Sequence, residues 1–294
     1  MKNPFVGAGV ALITPFNDDL SIDFSGLRKL VNYQIDNGMN FLVVQGTTGE
    51  SPTLSKSEKL EVLEVVQDEN KGRLKIVFGV GGNNTEEVGA LLKTLPVDGL
   101  DGILSVSPFY NKPTQKGIIE HYKHIASCTL LPIVIYNVPG RTGSNVWAST
   151  TLELSRIDNI VAMKEASGDF GQIMQIIQHK EKNFAVLSGD DAITMPLMSI
   201  GVEGVISVVA NAFPKKFSQM VHFMMEKKID AAKKLHYDLL PMIDMLFEEG
   251  NPGGVKVALE KQGIVKSHMR LPLYPVSEGL RSRIEDETVR ILAE

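Results

Sequence analysis

Continuous apolar runs alternate along this chain with segments of helical periodicity. The runs are short, rich in Val and Ile, and apolar at successive positions, which is typical of strands buried on both faces. They read GVALITPF (9–16), FLVVQG (41–46), KIVFGVG (75–81), GILSVSP (102–108), IVIYNVP (133–139), IVAMKEA (160–166), AVLSGD (185–190) and GVISVVAN (204–211). The pattern predicts eight buried strands connected by helices.

The segments between the runs carry helix signals. Residues 55–70 place apolar side chains on one face, and Ser55 with Glu58 forms a capping-box pattern at their start. Asn84, ahead of two acidic residues, is a predicted N-cap. Eight strands with intervening helices predict a (β/α)8 TIM barrel of the α/β class. A doubly wound open sheet is the alternative, but ITPFNDD after the first run is not a Gly-rich dinucleotide turn.

The strand pattern stops near residue 226. The remaining segments at 225–249, 253–263 and 277–294 read as helices. We therefore predict a catalytic barrel over residues 1–226 and a C-terminal helical appendage over residues 227–294.

Composition narrows the classes of function. The 294 residues are 43% hydrophobic and carry a net charge of −5, and no basic block suggests a nucleic-acid partner. No apolar run approaches the roughly 18 residues that would span a membrane, and the N-terminal run lacks a cleavage signal. The single cysteine, Cys128, excludes an internal disulfide framework. We expect a cytoplasmic protein with no membrane or nucleic-acid partner.

One lysine stands where burial disfavours it. Lys164 comes at the end of the apolar run IVAMKEA, and the carboxyl ends of barrel strands carry the active site. An unpaired buried ammonium is costly, so Lys164 either reaches water, pairs with Glu165, or acts as an amine. A desolvated lysine is suited to form a Schiff base with a carbonyl substrate. The strand pattern alone leaves these interpretations open.

Other strand ends offer groups for a small acid. GTTGES, after the second run, contains Thr47 and Thr48, whose hydroxyls and backbone N–H groups could bind a carboxylate. YNVPGRTG, after the fifth, contains Tyr136 and Arg141, suited to proton relay and to a bidentate carboxylate contact. SPFYNKP, after the fourth, offers Tyr110, although packing at an interface explains it equally well.

Metal and phosphate chemistry are disfavoured. His121 and His124 lie three residues apart on one predicted helix, but no acidic or cysteine partner completes a zinc signature. Asp190 and Asp191, at the end of the seventh run, would repel a phosphate group. We expect no metal and a small, unphosphorylated substrate.

GTTGES, SPFYNKP, YNVPGRTG, MKEASGD and GVISVVAN, in this order, resemble the pyruvate-dependent class I aldolase family of dihydrodipicolinate synthase and N-acetylneuraminate lyase. The resemblance extends from about residue 5 to the C-terminal helices. It implies that Lys164 forms an imine with pyruvate. Tyr136 would relay protons, linked through Thr48 to Tyr110 of a neighbouring subunit.

The resemblance also implies the binding groups and the reaction. Thr47 and Thr48 would bind the pyruvate carboxylate, Arg141 would bind the carboxylate of L-aspartate 4-semialdehyde, and Gly189 and Ile206 would line the pocket. The implied activity is the lyase 4-hydroxy-tetrahydrodipicolinate synthase of lysine and diaminopimelate biosynthesis, without a cofactor. A homotetramer built as a dimer of dimers is expected, with a dimer as the alternative.

Two other functions remain as alternatives. Sugar-acid lyases of the family, such as N-acetylneuraminate lyase, usually lack an arginine in the turn that holds Arg141, so GRTG favours the synthase. A barrel that has lost catalysis and binds a small molecule is a more distant alternative. It is disfavoured because every implied catalytic position holds a competent residue.

The resemblance finally implies an effector site for lysine at a subunit interface. Its residues would be Ser51, Pro52, Lys56, Lys59, Asn83, Glu87 and Phe109. Lysine-sensitive relatives tend to have histidine in place of Lys56 and tyrosine in place of Phe109. We therefore expect weak or absent feedback inhibition.

Overall fold

The computed structural model describes residues 3–293. Eight parallel strands form a closed barrel in which each strand neighbours the next along the chain, which confirms the predicted TIM barrel. The strands are β1 (Gly7–Ala11), β2 (Phe41–Val44), β3 (Lys75–Gly79), β4 (Gly102–Val106), β5 (Ile133–Asn137), β6 (Ile160–Glu165), β7 (Ala185–Ser188) and β8 (Gly204–Ser207).

Helices connect the strands and continue after the last one. They are α1 (Phe24–Asp36), α2 (Lys56–Asn70), α3 (Thr85–Thr94), α4 (Gln115–Ser127), α5 (Pro139–Thr142), α6 (Ala148–Leu154), α7 (Phe170–His179), α8 (Thr194–Ser199), α9 (Pro214–Met225), α10 (Ile229–Glu248), α11 (Gly253–Lys261) and α12 (Glu278–Ala293). The last three confirm the C-terminal helices, while the domain boundary at residue 226 stays a prediction. Within residues 3–293, no helix combines the length and apolar character that crossing a membrane requires.

The helix signals are confirmed at two N-termini. The Ser55 hydroxyl accepts a hydrogen bond from the backbone N–H of Glu58, whose carboxylate accepts one from the N–H of Ser55. The Asn84 side chain accepts from the N–H of Glu86 at the start of α3. Each cap satisfies a backbone donor that the first helical turn leaves unpaired.

All eight strands end before their apolar runs do, and β1 and β8 end farthest from the ends of theirs. β1 ends at Ala11 because the side chain of Asn211 replaces a strand partner there: it donates to the Ala11 carbonyl and accepts from the N–H of Ile13. β8 ends at Ser207, whose hydroxyl accepts from the N–H of Ala210 and so begins a short 3₁₀ turn. Beyond Ala11 the N–H of Leu12 still donates to the carbonyl of Val43 on β2, so side chains replace strand neighbours for only part of the backbone past these points.

The chain divides into two compact units. The first contains Lys75–Ile206 with the N-terminal segment up to Val6, and therefore β3 to β7. The second contains Gly7–Leu74 with the chain from Ser207 onward, and therefore β1, β2 and the C-terminal helices. β5 in the first unit and β1 in the second are buried at every position, as their continuous apolar runs predict.

Candidate active site

Lys164 lies beside Tyr136 near the carboxyl ends of β6 and β5. The two strands pair in parallel with Tyr136 opposite Lys164. Both side chains are buried, 5% and 6% exposed, and the Lys164 Nζ lies 4.3 Å from the centre of the Tyr136 ring. Among the described residues, no acidic side chain pairs with this amine. Lys164 is therefore a buried amine beside a phenol, without a counter-ion from residues 3–293.

Glu165 is not the partner of Lys164. Successive residues of a strand point to opposite faces, and the Glu165 carboxylate accepts from Asn137 Nδ2 at 3.1 Å, from Gln172 Nε2 at 3.1 Å and from the N–H of Ser167 at 2.7 Å. Burial raises the pKa of Glu165, and these hydrogen bonds oppose that rise. The Lys164–Glu165 pair, one of the interpretations of the sequence, is therefore wrong.

Gly189 leaves the space that the Lys164 side chain occupies. A Cβ at position 189 would lie 2.9 Å from Lys164 Cε and 2.8 Å from the Cβ of Ala166. Real Cβ atoms essentially never approach so closely, so any side chain at this position would displace the amine or the backbone beside it. The backbone of Gly189 thus adjoins Lys164.

A side-chain network that the sequence did not reveal holds the turn carrying Arg141. Asn137, at the end of β5, donates to Asn145 Oδ1 at 2.7 Å and accepts from the N–H of Val146 at 3.0 Å, while it also donates to Glu165. The Gly- and Pro-containing stretch around Arg141 predicts a loop, whereas the structure places Arg141 on the short helix α5, with an exposed side chain. The only sequence signal for this network was polar residues directly after two apolar strands.

Tyr110 projects from the turn that follows β4. Its side chain is 87% exposed, and its backbone adopts a left-handed conformation with φ of 72°. The N–H of Tyr110 donates to the Thr142 carbonyl at 3.4 Å, and Asn111 Nδ2 donates to the Asn83 carbonyl at 3.0 Å. The turn is thus tied to its own unit by its backbone and by Asn111, which leaves the phenol of Tyr110 in solvent.

In the second unit, Thr47 and Thr48 form a 3₁₀ turn with Gly49 directly after β2. The Thr47 side chain is exposed, whereas Thr48 is 3% exposed and its Oγ1 accepts from Asn251 Nδ2 at 3.0 Å. Because Asn251 donates, the Thr48 hydroxyl keeps its own proton for another acceptor. Asn251 was missed, since it precedes α11 some 200 residues after the turn.

The candidate effector residues of the second unit lie on the next turn and on α2. Ser51 and Pro52 belong to a second 3₁₀ turn, and Lys56 and Lys59 to the first turns of α2. Burial, and then the charge of Lys56, lower the pKa of Lys59. Two cations therefore stand close together on the first turns of α2.

The candidate effector residues of the first unit are Asn83, Glu87 and Phe109. Asn83 precedes α3, Glu87 belongs to that helix, and all three side chains are exposed. The Glu87 carboxylate accepts from Asn84 Nδ2 at 3.0 Å.

The predicted pocket residue Ile206 lies on β8 and is 1% exposed. Within residues 3–293, no three His, Cys, Asp or Glu side chains form a group that could hold a metal ion.

Comparison with known proteins identifies the family. The model of the dihydrodipicolinate synthetase family matches residues 4–290. The chain belongs to this family. It is 49% identical to the 4-hydroxy-tetrahydrodipicolinate synthase of Flavobacterium psychrophilum over 282 residues, which is 96% of each chain.

Solved structures of the family agree in fold over nearly the whole chain. Dihydrodipicolinate synthase of Thermotoga maritima superimposes with a TM-score of 0.96 at 37% identity, covering 99% of this chain and 100% of that one. The enzyme of Cyanidioschyzon merolae, solved with lysine bound, gives a TM-score of 0.95 at 35% identity and covers 100% of both chains.

Proposed function

We propose that this chain condenses pyruvate with L-aspartate 4-semialdehyde, the activity of a 4-hydroxy-tetrahydrodipicolinate synthase in lysine and diaminopimelate biosynthesis. The observation that carries the proposal is the environment of Lys164. The amine is buried beside the phenol of Tyr136, against Gly189, and lacks an acidic partner among the described residues. Such an amine can attack a carbonyl carbon. The family and the relatives named above support the choice of substrates.

The reaction begins when Lys164 Nζ attacks C2 of pyruvate and water leaves, which forms an imine. Loss of a proton from C3 converts the imine to an enamine, and C3 then attacks the aldehyde carbon of the semialdehyde. The amino group of the semialdehyde next attacks the imine carbon, which closes the ring and releases Lys164. The protonated imine is the electron sink, so the proposal needs neither a metal nor an organic cofactor.

Tyr136 is the proposed proton relay. Its ring adjoins the amine, so its hydroxyl can exchange protons as water leaves and as C3 loses its proton. Proton transfer by a positioned group contributes about 10²–10⁴-fold to a rate. The relay through Thr48 is compatible with the hydroxyl proton that Asn251 leaves available, and Thr47 with Thr48 is proposed to bind the pyruvate carboxylate.

Arg141 is the proposed binding group for the carboxylate of the semialdehyde. Its guanidinium is exposed on α5, and a planar guanidinium suits a bidentate carboxylate contact. Arg141→Ala should raise KM for the semialdehyde much more than KM for pyruvate. An equal rise in both constants would contradict this assignment.

Tyr110 of one subunit is proposed to insert into the active site of a neighbouring subunit. Its phenol is 87% exposed on a turn that is tied to its own unit, which suits insertion into a neighbouring chain of a dimer or of the expected homotetramer. Mixing Lys164→Ala with Tyr110→Phe subunits tests this directly. Hybrids should regain activity, because the intact Lys164 of one chain would receive the intact Tyr110 of the other. Hybrids without any gain would refute the exchange.

Weak feedback inhibition by lysine is part of the proposal. The enzyme of Cyanidioschyzon merolae binds lysine, but here Lys56 and Lys59 stand together and Phe109 lacks a hydroxyl group. Replacing Lys56 by His and Phe109 by Tyr should increase sensitivity to lysine. Half-maximal inhibition of the unaltered enzyme by sub-millimolar lysine would contradict the proposal.

The central experiment is treatment with pyruvate and borohydride, followed by peptide mapping and by an assay with the semialdehyde. The expected result is one reduced pyruvate adduct on Lys164, together with consumption of both substrates. An adduct on another lysine would refute the assignment of Lys164 as the nucleophile. Cleavage of N-acetylneuraminate in place of the condensation would refute the proposed substrates.

A further inference from the structure

A second buried lysine lies in the unit that holds the threonine turn. Lys256, on α11, is 0% exposed, and so is Glu50, the residue that follows the turn Thr47–Gly49. Lys256 Nζ donates to Glu50 Oε1 and, at 2.7 Å, to the carbonyl of His268. Burial lowers the pKa of Lys256 to about 8, and the carboxylate of Glu50 opposes that shift.

Glu50 fixes the backbone at the end of the threonine turn. It adopts a left-handed conformation with φ of 54° and ψ of 31°, which is uncommon for a residue with a side chain. Its N–H donates to the Thr47 carbonyl, and its own carbonyl accepts from Thr53. A residue in this conformation persists where its surroundings hold it, and the side chain of Glu50 is fully buried among such surroundings.

The Glu50 carboxylate is held by donors on both oxygens. Lys256 binds Oε1, and the backbone N–H of Arg270 donates to Oε2 at 3.2 Å. The ring of Phe16 lies 4.4 Å from Lys256 Nζ and 4.7 Å from the Arg270 guanidinium carbon. Both cations therefore lie against the same aromatic ring, and both carboxylate oxygens accept hydrogen bonds.

The segment that leads into Lys256 also contacts the middle of the turn. Asn251, five residues before Lys256, donates to Thr48 Oγ1 at 3.0 Å. Gly254 allows α11 to approach α10 closely, since a Cβ there would lie 2.8 Å from the Cα of Leu246. Residues 251–256 thus contact the turn at Thr48 and at Glu50.

We propose that the buried Glu50–Lys256 pair is a positioning device that fixes the Thr47–Thr48 turn for binding the pyruvate carboxylate. This inference rests on the proposed function, because it assigns the turn to pyruvate. Neither residue of the pair touches substrate in the proposal. Their effect passes through the backbone of Glu50 to the hydroxyls of the turn.

The test compares Lys256→Met with a matched control. Lys180 also pairs with a carboxylate, Glu203 at 3.1 Å, and with a carbonyl, that of Phe184 at 2.6 Å, but it lies at the amino ends of β7 and β8. Lys256→Met should raise KM for pyruvate at least about tenfold with a smaller change in kcat, since a 1 Å displacement can cost about 100-fold. Lys180→Met should leave KM unchanged.

Two further variants keep the test decisive if Lys256→Met does not fold. Glu50→Gln offers one acceptor oxygen to two donors, so it should also raise KM for pyruvate. The double variant Glu50→Gln/Lys256→Met removes the unpaired charge and should regain thermal stability over Lys256→Met, while KM stays raised. A folded variant of the pair with the KM of the unaltered enzyme would overturn the proposal.

Failure of this inference can be told apart from failure of the proposed function. Borohydride trapping of pyruvate on Lys164 of the unaltered protein tests the function without using the pair. Normal trapping with an unchanged KM in the variants would refute only the positioning role. Absence of trapping in the unaltered protein would refute the function itself.

Discussion

Lys164 and Lys256 are both buried lysines, yet their surroundings differ in kind. Lys164 faces a tyrosine ring and the backbone of a glycine, without an acidic partner among the described residues. Lys256 is bound by a carboxylate, by a carbonyl and by an aromatic face. Burial by itself therefore does not mark a catalytic amine. A buried cation with a complete set of partners is structural, whereas one that lacks a counter-ion is available for chemistry.

The largest effect expected from this comparison is on activity, when the Lys164 amine is removed. Lys164→Ala should reduce condensation by at least about 10³-fold, as removal of a covalent nucleophile does, and should abolish pyruvate trapping. Peptide mapping of the unaltered protein should leave Lys256 unlabelled. A labelled Lys256 would show that its partners do not suppress its reactivity.

The second test concerns stability. Removing one partner of a buried ion pair costs about 3–5 kcal/mol, so Lys256→Met should lower the free energy of unfolding by that order. Lys164→Met should change it much less, because no carboxylate is left behind. Urea denaturation followed by circular dichroism measures both. Equal losses would mean that the two lysines do not differ as described.

The third test concerns the pH dependence of stability, at the buried histidine His121. His121 Nδ1 lies 2.9 Å from the Thr85 hydroxyl, and its Nε2 has no partner among the described residues. Burial, and then the charge of His124, lower the pKa of His121 from 6.5 to about 4. Between these values the unfolded chain binds a proton that the folded chain does not. Stability should therefore fall as the pH drops from about 6.5 to about 4, by at most about 3 kcal/mol.

The measurement is the urea midpoint at several pH values for three proteins. His121→Asn should show a shallower loss of stability on acidification than the unaltered chain. His179→Asn, which replaces an exposed histidine, is the matched control and should behave like the unaltered chain. The same slope in all three would remove His121 as the cause.

The smallest effect is expected at Gly189. Gly189→Ala should slow imine formation about tenfold, because the added methyl group overlaps the space of Lys164 Cε and Ala166 Cβ, and tenfold corresponds to about 1.4 kcal/mol. Stopped-flow trapping of pyruvate measures the rate. Gly140→Ala is the control, since a Cβ there meets no heavy atom within 4 Å. An unaffected rate in Gly189→Ala would show that the side chain of Lys164 moves aside freely.

Much of the fold could be predicted because its signals are local. The apolar runs, the capping box of Ser55 and Glu58, and the cap at Asn84 each depend on residues within a few positions of one another. The ends of β1 and β8 could not be predicted, since the Asn211 side chain that replaces a strand partner is about 200 residues from Ala11. The apolar runs continue past both ends and conceal them.

The amino-acid sequence by itself determined the barrel, the motifs at its strand ends and Lys164 as the amine to examine, because strand burial and turn chemistry are encoded in short stretches. Only the tertiary structure decided which charges have partners. It separated Glu165 from Lys164, joined Glu50 to Lys256 and brought Asn251 to Thr48. These pairings depend on the face of the element from which a side chain projects and on contacts between distant segments. The local periodicity of the sequence predicts neither.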